Sequence, residues 1–183
     1  MSTADDKTKA YQELLRRYAA SLNLVSRKVL NEIDKHIETS CAYGEAIPPG
    51  RHVLDVGSGA GLPGLPLAIC RPDLQLTLAE ARGKRAAFLD LATASLGLEN
   101  VSVYNGDVRH WQGKTAFVTA QAVAPFDEVY RLIKDSAQYP LLLVSRKGRG
   151  WRREARRLGA QVFHVKPLAD GSELVALRLQ EER

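Results

Sequence analysis

A strand that runs directly into a glycine-rich turn is the feature that most restricts how this chain can fold. Residues 53–56 are apolar apart from Asp55, glycine then occurs at positions 57, 59, 61 and 64, and an apolar segment follows. Glycine adopts positive φ angles and lets a ligand approach the main chain closely. The first N–H groups of a following helix are unpaired and attract polar ligand atoms. This order predicts an α/β fold with a nucleotide-sized site at the carboxyl end of the first strand.

The position of the glycines discriminates between cofactors. Residues 59–64 also match the dinucleotide pattern GxGxxG. The strand ends at Val56, however, so Gly57 is the first glycine of the turn and Leu62 stands where the third would be expected. We therefore predict S-adenosylmethionine as the cofactor, with a dinucleotide site or a tight turn without a ligand as the alternatives. The predicted cofactor contacts in this segment are Asp55, Gly57, Ser58, Gly59, Gly61 and Leu62.

Composition narrows the class of protein. The net charge is +5 and the pI is about 9.3, which is compatible with a phosphate-rich partner. Cys41 and Cys70 form no CxxC motif, so we expect no disulfide framework, two buried packing cysteines and a reducing compartment. His36 is likewise expected to be a packing residue, with a role in a site as the alternative. The first ten residues lack the apolar core of a signal peptide and no apolar run is long enough to span a membrane, which predicts a cytoplasmic protein.

Hydrophobic periodicity places the secondary structure. We predict one domain over residues 1–183, with N-terminal helices in 1–47 packed on a doubly wound, mostly parallel sheet. The last two strands should form an antiparallel pair around Asp170 and Gly171. Helices are predicted over 6–22, 27–41, 63–70, 83–96, 126–137 and 150–158, and strands over 52–56, 75–80, 101–104, 116–120, 141–144, 162–165 and 174–179.

Polar residues follow three further strands, and the carboxyl ends of parallel strands share one edge of a sheet. Glu80 can accept hydrogen bonds from two ribose hydroxyls of an adenosine ligand, although a solvated strand-end acid is the alternative. Asp107, Val108 and Arg109 should pass the adenine edge, unless they form an ordinary turn. Gln121 follows the fourth strand, where the methyl donor and the acceptor are expected to meet.

Residues 146–157 carry the densest positive charge. Seven of these twelve residues are Lys or Arg, Glu154 is the one acid, and Trp151 lies among them. Such a segment can grip phosphates and stack a base, and a solvated helix face is the alternative. The predicted phosphate-contacting residues, including those after the second strand, are Arg82, Lys84, Arg85, Arg146, Lys147, Arg149, Arg152, Arg153, Arg156 and Arg157.

The chain resembles the bacterial rRNA small subunit methyltransferase G family, also called glucose-inhibited division protein B. The matching segments are 22–26, 35–36, 55–67 (DVGSGAGLPGLPL), 83–89 (GKRAAFL), 119–125 and 147–148. The resemblance implies a seven-stranded class I methyltransferase (Rossmann-like) fold. It also implies methyl transfer from S-adenosylmethionine to N7 of a guanosine in the 530 loop of 16S rRNA, with 16S rRNA or the small ribosomal subunit as partner. We expect a monomer.

Two departures keep other functions open. Family members usually carry Arg in place of Gln121 and Glu in place of Arg109, and the chain is short for the family. The alternatives are a methyltransferase with a different acceptor and a weakly active or non-catalytic RNA-binding paralogue. Because guanine N7 has a free lone pair and no proton at neutral pH, the chemistry needs placement more than acid–base help. We therefore assign no catalytic residue and no metal.

Overall fold

Seven strands form one sheet in the computed structural model, which describes residues 3–181. Five of them, β1 to β5, run parallel, whereas β7 pairs antiparallel with both β5 and β6. The order across the sheet is β3-β2-β1-β4-β5-β7-β6, which confirms the predicted doubly wound, mostly parallel fold. The strands are β1 His52–Val56, β2 Gln75–Glu80, β3 Val101–Asn105, β4 Thr115–Ala120, β5 Ala137–Lys147, β6 Gln161–Pro167 and β7 Glu173–Leu179.

Helices cover both faces of the sheet and bury two separate hydrophobic clusters. One cluster joins the N-terminal helices to α4 and α5, and the other joins α6 and α7 to the opposite face. Within residues 3–181, no helix combines the length and the apolar character needed to cross a membrane. The helices are α1 Ala4–Tyr18, α2 Arg27–Asn31, α3 Ile33–Ala42, α4 Gly64–Cys70, α5 Gly83–Ser95, α6 Phe126–Ile133 and α7 Trp151–Arg157.

The N-terminal helices differ from their predicted bounds. Helix α1 begins two residues early because Thr3 and Asp6 form a reciprocal capping box. Helix α1 ends at Tyr18. Asn23, further along, has a φ of 49°, which is incompatible with a right-handed helix. The predicted helix 27–41 is broken at Glu32, where φ is −112°. This break allows α3 to turn Ile33 into the core, while α2 buries no residue.

Strand β5 is longer than the hydrophobic pattern indicated. It begins at Ala137, which pairs with Thr115 of β4, and it ends at Lys147. The added residues at both ends are less buried than Leu141–Ser145, so they lack the continuous apolar pattern by which a buried strand is recognised. The predicted helix 126–137 accordingly stops at Ile133 and continues as one 3₁₀ turn.

The two cysteines differ from the expectation of unpaired, buried packing residues. Cys41 in α3 and Cys70 at the end of α4 form a disulfide, with their Cα atoms 5.7 Å apart. Cys70 is exposed and Cys41 is half-buried. Helices α3 and α4 pack side by side. This packing brings together two residues that the sequence separates by 29 positions.

A buried carboxylate connects the two central strands. Asp55 of β1 and Thr119 of β4 are register partners, both fully buried, and the Thr119 hydroxyl donates to Asp55 Oδ1 at 2.7 Å. Burial raises the pKa of Asp55 to about 6, although the nearby hydroxyls of Ser58 and Thr119 and the Gly64 amide oppose the shift. The carboxylate therefore carries a desolvation penalty once it is ionised.

This penalty predicts a pH dependence of stability. Because the folded-state pKa of Asp55 lies above its unfolded value, its contribution to stability is complete below about pH 4 and is lost as the pH rises through about 6. Asp55→Asn removes the titration. Relative to wild type, the variant should therefore gain about 2–3 kcal/mol of unfolding free energy between pH 4 and pH 7. Urea unfolding at a series of pH values measures this difference.

Asp73 provides a control of opposite sign. Hydrogen bonds from Arg71 lower the pKa of Asp73 to about 2, so its contribution is present above its unfolded pKa and is lost as the pH falls towards 2. Asp73→Asn should lower the free energy of unfolding at neutral pH, and this effect should disappear in acid. Parallel stability curves for wild type and Asp55→Asn would show that Asp55 does not titrate as described.

Candidate active site

The turn after β1 closes onto the end of β2. The Gly57 and Ser58 N–H groups both donate to the Ala79 carbonyl, at 2.9 and 3.1 Å. Gly57 has a φ of 67°, and a Cβ added there would lie 2.8 Å from the Val123 side chain. Glycine is therefore required at this position both by the backbone conformation and by the close approach of the segment after β4.

Helix α4 begins directly beside this turn. A Cβ on Gly64 would lie 2.3 Å from Leu78 Cδ2 and 2.9 Å from Asp55 Oδ2, so only glycine lets α4 start this close to β1 and β2. The Asp55 carboxylate, predicted to contact the cofactor, is fully buried and accepts from the Thr119 hydroxyl of β4. The Ser58 hydroxyl donates to the Asp55 main-chain oxygen at 3.0 Å. Gly61 and Leu62 are buried within the turn.

Glu80 is the centre of the polar groups at this edge. Its Oε2 accepts from the Gly59 amide at 2.9 Å and its Oε1 from the Arg82 amide at 2.8 Å, while the side chain is buried. A carboxylate has about four lone-pair positions, so two remain for a ligand. A Cβ on Gly59 would lie 3.8 Å from Arg85 Nη1 and 4.0 Å from Glu80 Oε2, so it is the positive φ of 54°, and not a lack of space, that favours glycine at this buried position. These residues fit an adenosine ribose.

The turn after β3 lies next to Glu80. The Gly106 amide donates to the Glu80 main-chain oxygen at 3.1 Å, because β2 and β3 pair in parallel. Val108 is buried, and the Asp107 carboxylate accepts from both the amide and the side chain of Arg109, contacts that hold its pKa well below its usual range. The structure therefore brings this turn to the edge where the adenine would lie.

Gln121 has a partner that the sequence analysis did not single out. The Tyr43 hydroxyl donates to Gln121 Oε1 at 3.3 Å and accepts from the Arg146 amide at 2.9 Å. Tyr43 is fully buried, and burial raises the pKa of its hydroxyl. No local sequence pattern indicates this role for Tyr43, because its partner Gln121 lies 78 residues further along the chain.

The strand order keeps Arg109 away from Gln121, the other position at which this chain differs from the family pattern. Arg109 follows β3 and Gln121 follows β4, but β2 and β1 lie between these strands. The turn that holds Arg109 is therefore not adjacent to Gln121, and its guanidinium is paired with Asp107. Arg109 is not in a position to supply charge at the end of β4.

The predicted basic residues divide into two groups. Arg146 and Lys147 are held by protein partners: Arg146 pairs with Asp170, and Lys147, whose side chain is 11% exposed, pairs with Glu154 at 3.0 Å. Arg85 donates to the Asn23 carbonyl at 2.6 Å and is half-buried. The exposed members are Arg82, Lys84, Arg149, Arg152, Arg153, Arg156 and Arg157.

Trp151 is not available to stack a base. Its side chain is 2% exposed because it belongs to the core under α7, and its indole N–H donates to Glu173 at 2.5 Å. The guanidinium of Arg152 lies 4.4 Å from the centre of the indole ring. The tryptophan therefore anchors the basic helix, and its neighbours on α7 present the charge.

Comparisons with known proteins show which family this chain is related to. The model of the family described as rRNA small subunit methyltransferase G (GidB) matches residues 4–166. The ribosomal RNA small subunit methyltransferase G of Kineococcus radiotolerans is 43% identical over 130 residues, covering 68% of this chain and 51% of the relative. The Neisseria meningitidis protein of that name is 42% identical over 109 residues, covering 59% and 53%. The chain thus spans about half the length of the curated relatives it matches.

Solved structures support the fold. The pyocyanin biosynthetic protein PhzM aligns with a TM-score of 0.69 at 14% identity, covering 92% of this chain and 61% of that one. A mutant of MtNAS in complex with S-adenosylmethionine aligns with a TM-score of 0.63 at 17% identity, covering 96% and 77%. Because the family model matches residues 4–166, the chain belongs to the rRNA small subunit methyltransferase G family.

Proposed function

We propose that this protein transfers a methyl group from S-adenosylmethionine to N7 of a guanosine in the 530 loop of 16S rRNA. The observation that carries the proposal is the buried Glu80 carboxylate at the end of β2, which accepts from the Gly59 and Arg82 amides, in a chain of this family. The family name and the names of the relatives support rRNA as the acceptor. We further propose that the protein acts as a cytoplasmic monomer on 16S rRNA or on the small subunit.

Placement accounts for the chemistry. Bound S-adenosylmethionine supplies an electrophilic methyl group on a sulfonium. Glu80 would hold the ribose, and the turn at 107–109 would border the adenine. The side of the cofactor that faces the glycine turn would be lined by Gly57, Ser58, Gly59, Gly61 and Leu62. Guanine N7 carries a lone pair and no proton, so no general base is needed. The role of the chain is to align N7 with the methyl group at about 3–3.5 Å.

A binding-only role is the second candidate, and one observation favours it. Gln121 accepts a hydrogen bond from Tyr43 and brings no charge to the end of β4. If the acceptor is not positioned there, the protein would retain the cofactor and bind RNA without methylating it. Detection of 7-methylguanosine in 16S rRNA from a deletion strain complemented with this chain distinguishes the two.

Removal of the Glu80 carboxylate should weaken cofactor binding. Glu80→Ala loses the acceptors for the ribose hydroxyls, which should cost about 1–3 kcal/mol in S-adenosylmethionine affinity. Calorimetry with the cofactor measures the loss. Glu80→Gln is the matched control, because its amide oxygen still accepts one hydrogen bond and should retain part of the affinity. Unchanged affinity in Glu80→Ala would remove Glu80 from the site.

Neutralising the exposed face of α7 should reduce the salt dependence of RNA binding. Each Lys or Arg that contacts a phosphate releases counterions, so the slope of affinity against salt counts these contacts. Changing Arg152, Arg153, Arg156 and Arg157 to Gln should weaken binding to a 16S rRNA fragment and flatten the slope, with cofactor affinity unchanged. The same slope in wild type and in the quadruple variant would identify α7 as a solvated face.

Charge at position 121 should affect methyl transfer. A guanidinium offers a fixed charge and paired donors that the Gln121 amide lacks. Gln121→Arg should preserve or raise transfer to 16S rRNA, whereas Gln121→Ala should lower it, because it removes the group that Tyr43 contacts. Mass spectrometry of nucleosides measures the product. Equal activity in wild type and Gln121→Ala would contradict a role for this position.

A further inference from the structure

Arg146 lies at the carboxyl end of β5, between two cavities. One cavity, of about 340 Å³, lies between α3 and the turn that joins β6 to β7, and its lining includes Lys35, His36 and Asp170. The other, of about 330 Å³, lies at the ends of β4 and β5 and is lined in part by Val123. Arg146 contributes to both. The cavity beside α3 is within the size range of small-ligand sites.

The guanidinium of Arg146 is held in one orientation. Its Nε donates to Ser172 Oγ at 3.0 Å, one terminal nitrogen lies 3.4 Å from His36 Nδ1, and the other pairs with Asp170. Three of the five N–H groups are thereby used, and two remain. The side chain is 23% exposed. A ligand that enters the cavity therefore meets a cation whose position is already ordered, which lowers the entropic cost of binding.

Arg146 is also fixed relative to the end of β4. Its amide donates to the Tyr43 hydroxyl, and the same hydroxyl donates to Gln121. Strands β4 and β5 are neighbours, with Ala120 and Ser145 in register. Arg109 is separated from the end of β4 by two intervening strands, whereas Arg146 lies in the adjacent strand β5, one residue before its end.

We propose that the cavity between α3 and the β6–β7 turn is a phosphate subsite for the RNA nucleotide beside the β4 end, and that Arg146 is its anchoring residue. The identification of the ligand as RNA rests on the proposed function. A guanidinium on the N7 and O6 edge of guanine would cover the atom that is to be methylated, so Arg146 contacts a phosphate oxygen instead. Arg146 thus supplies the charge that Gln121 does not.

The carboxylates around the cavity are compatible with this role. The lining carries three carboxylates, those of Glu32, Glu38 and Asp170. Glu32 pairs with Lys35 at 3.5 Å, Glu38 is exposed to water, and Lys166 of the lining pairs with Glu45, which lies outside it. Asp170 is the partner that a phosphate would compete with. Its side chain is 52% exposed, so it can return to water when the phosphate binds.

The test uses the full chain saturated with S-adenosylhomocysteine, so that the probe does not enter the cofactor site. The probes are 5′-guanosine monophosphate and guanosine, which differ by the phosphate alone. Wild type should bind the monophosphate at least tenfold more tightly, by calorimetry or chemical-shift titration. Arg146→Gln should abolish this ratio, and Arg146→Lys should retain part of it, because a lysine brings the charge without the paired donors.

Asp170→Asn is the matched control, because it removes the same ion pair and keeps the guanidinium. It should raise monophosphate affinity several-fold. If Arg146 only stabilises the turn, Asp170→Asn and Arg146→Gln will lower thermal stability alike, and neither will change the ratio of the two affinities. No preference for the monophosphate in wild type would overturn the proposal, even if Arg146→Gln fails to fold.

Moving the positive charge from position 146 to position 121 tests the phosphate subsite separately from the proposed function. The double variant Gln121→Arg, Arg146→Gln should recover 16S rRNA methylation relative to Arg146→Gln alone. Loss of the monophosphate preference with methylation intact contradicts the subsite only. An intact preference in a wild-type protein that leaves rRNA unmethylated supports the subsite and contradicts the proposed acceptor.

Discussion

The site depends on how the end of β1 is buried. Asp55 lies under the glycine turn with Thr119 on one side and the start of α4 on the other. Burying a charged group costs free energy unless it is hydrogen-bonded, and within residues 3–181 Thr119 satisfies Oδ1 while Oδ2 has no hydrogen-bond partner. The turn above is held by the Ala79 carbonyl and the Glu80 carboxylate, and Gly57 is its exposed residue.

Glu80 connects that turn to the two strands beyond it. It holds the Gly59 amide and the Arg82 amide with its side chain, and its main-chain oxygen holds Gly106. One residue thereby sets the relative positions of the loops after β1, β2 and β3. A ligand bound there meets groups that are already ordered, which reduces the cost of binding.

The positive charge on this protein has two different uses. Lys147 lies 4.3 Å from the ring centre of Phe126 and pairs with Glu154, so it stabilises the junction between β5 and α7. Trp151 is buried and anchors α7 to the core, and the arginines of this helix are exposed. Formal net charge does not distinguish these uses, because it counts a half-buried, paired lysine and an exposed arginine equally.

The sequence by itself determined the fold class, the position of the glycine turn and the polar residue at the end of each parallel strand. These are local properties: period-two and period-3.6 patterns mark strands and helices, and strand ends in a parallel sheet meet at one edge. Only the tertiary structure decided that Asp55 faces inward, that Trp151 is buried, that Cys41 meets Cys70, and that Tyr43 joins Gln121 to Arg146. The physical reason is that each of these contacts is made between segments far apart in the chain, where packing, and no local pattern, selects the partner.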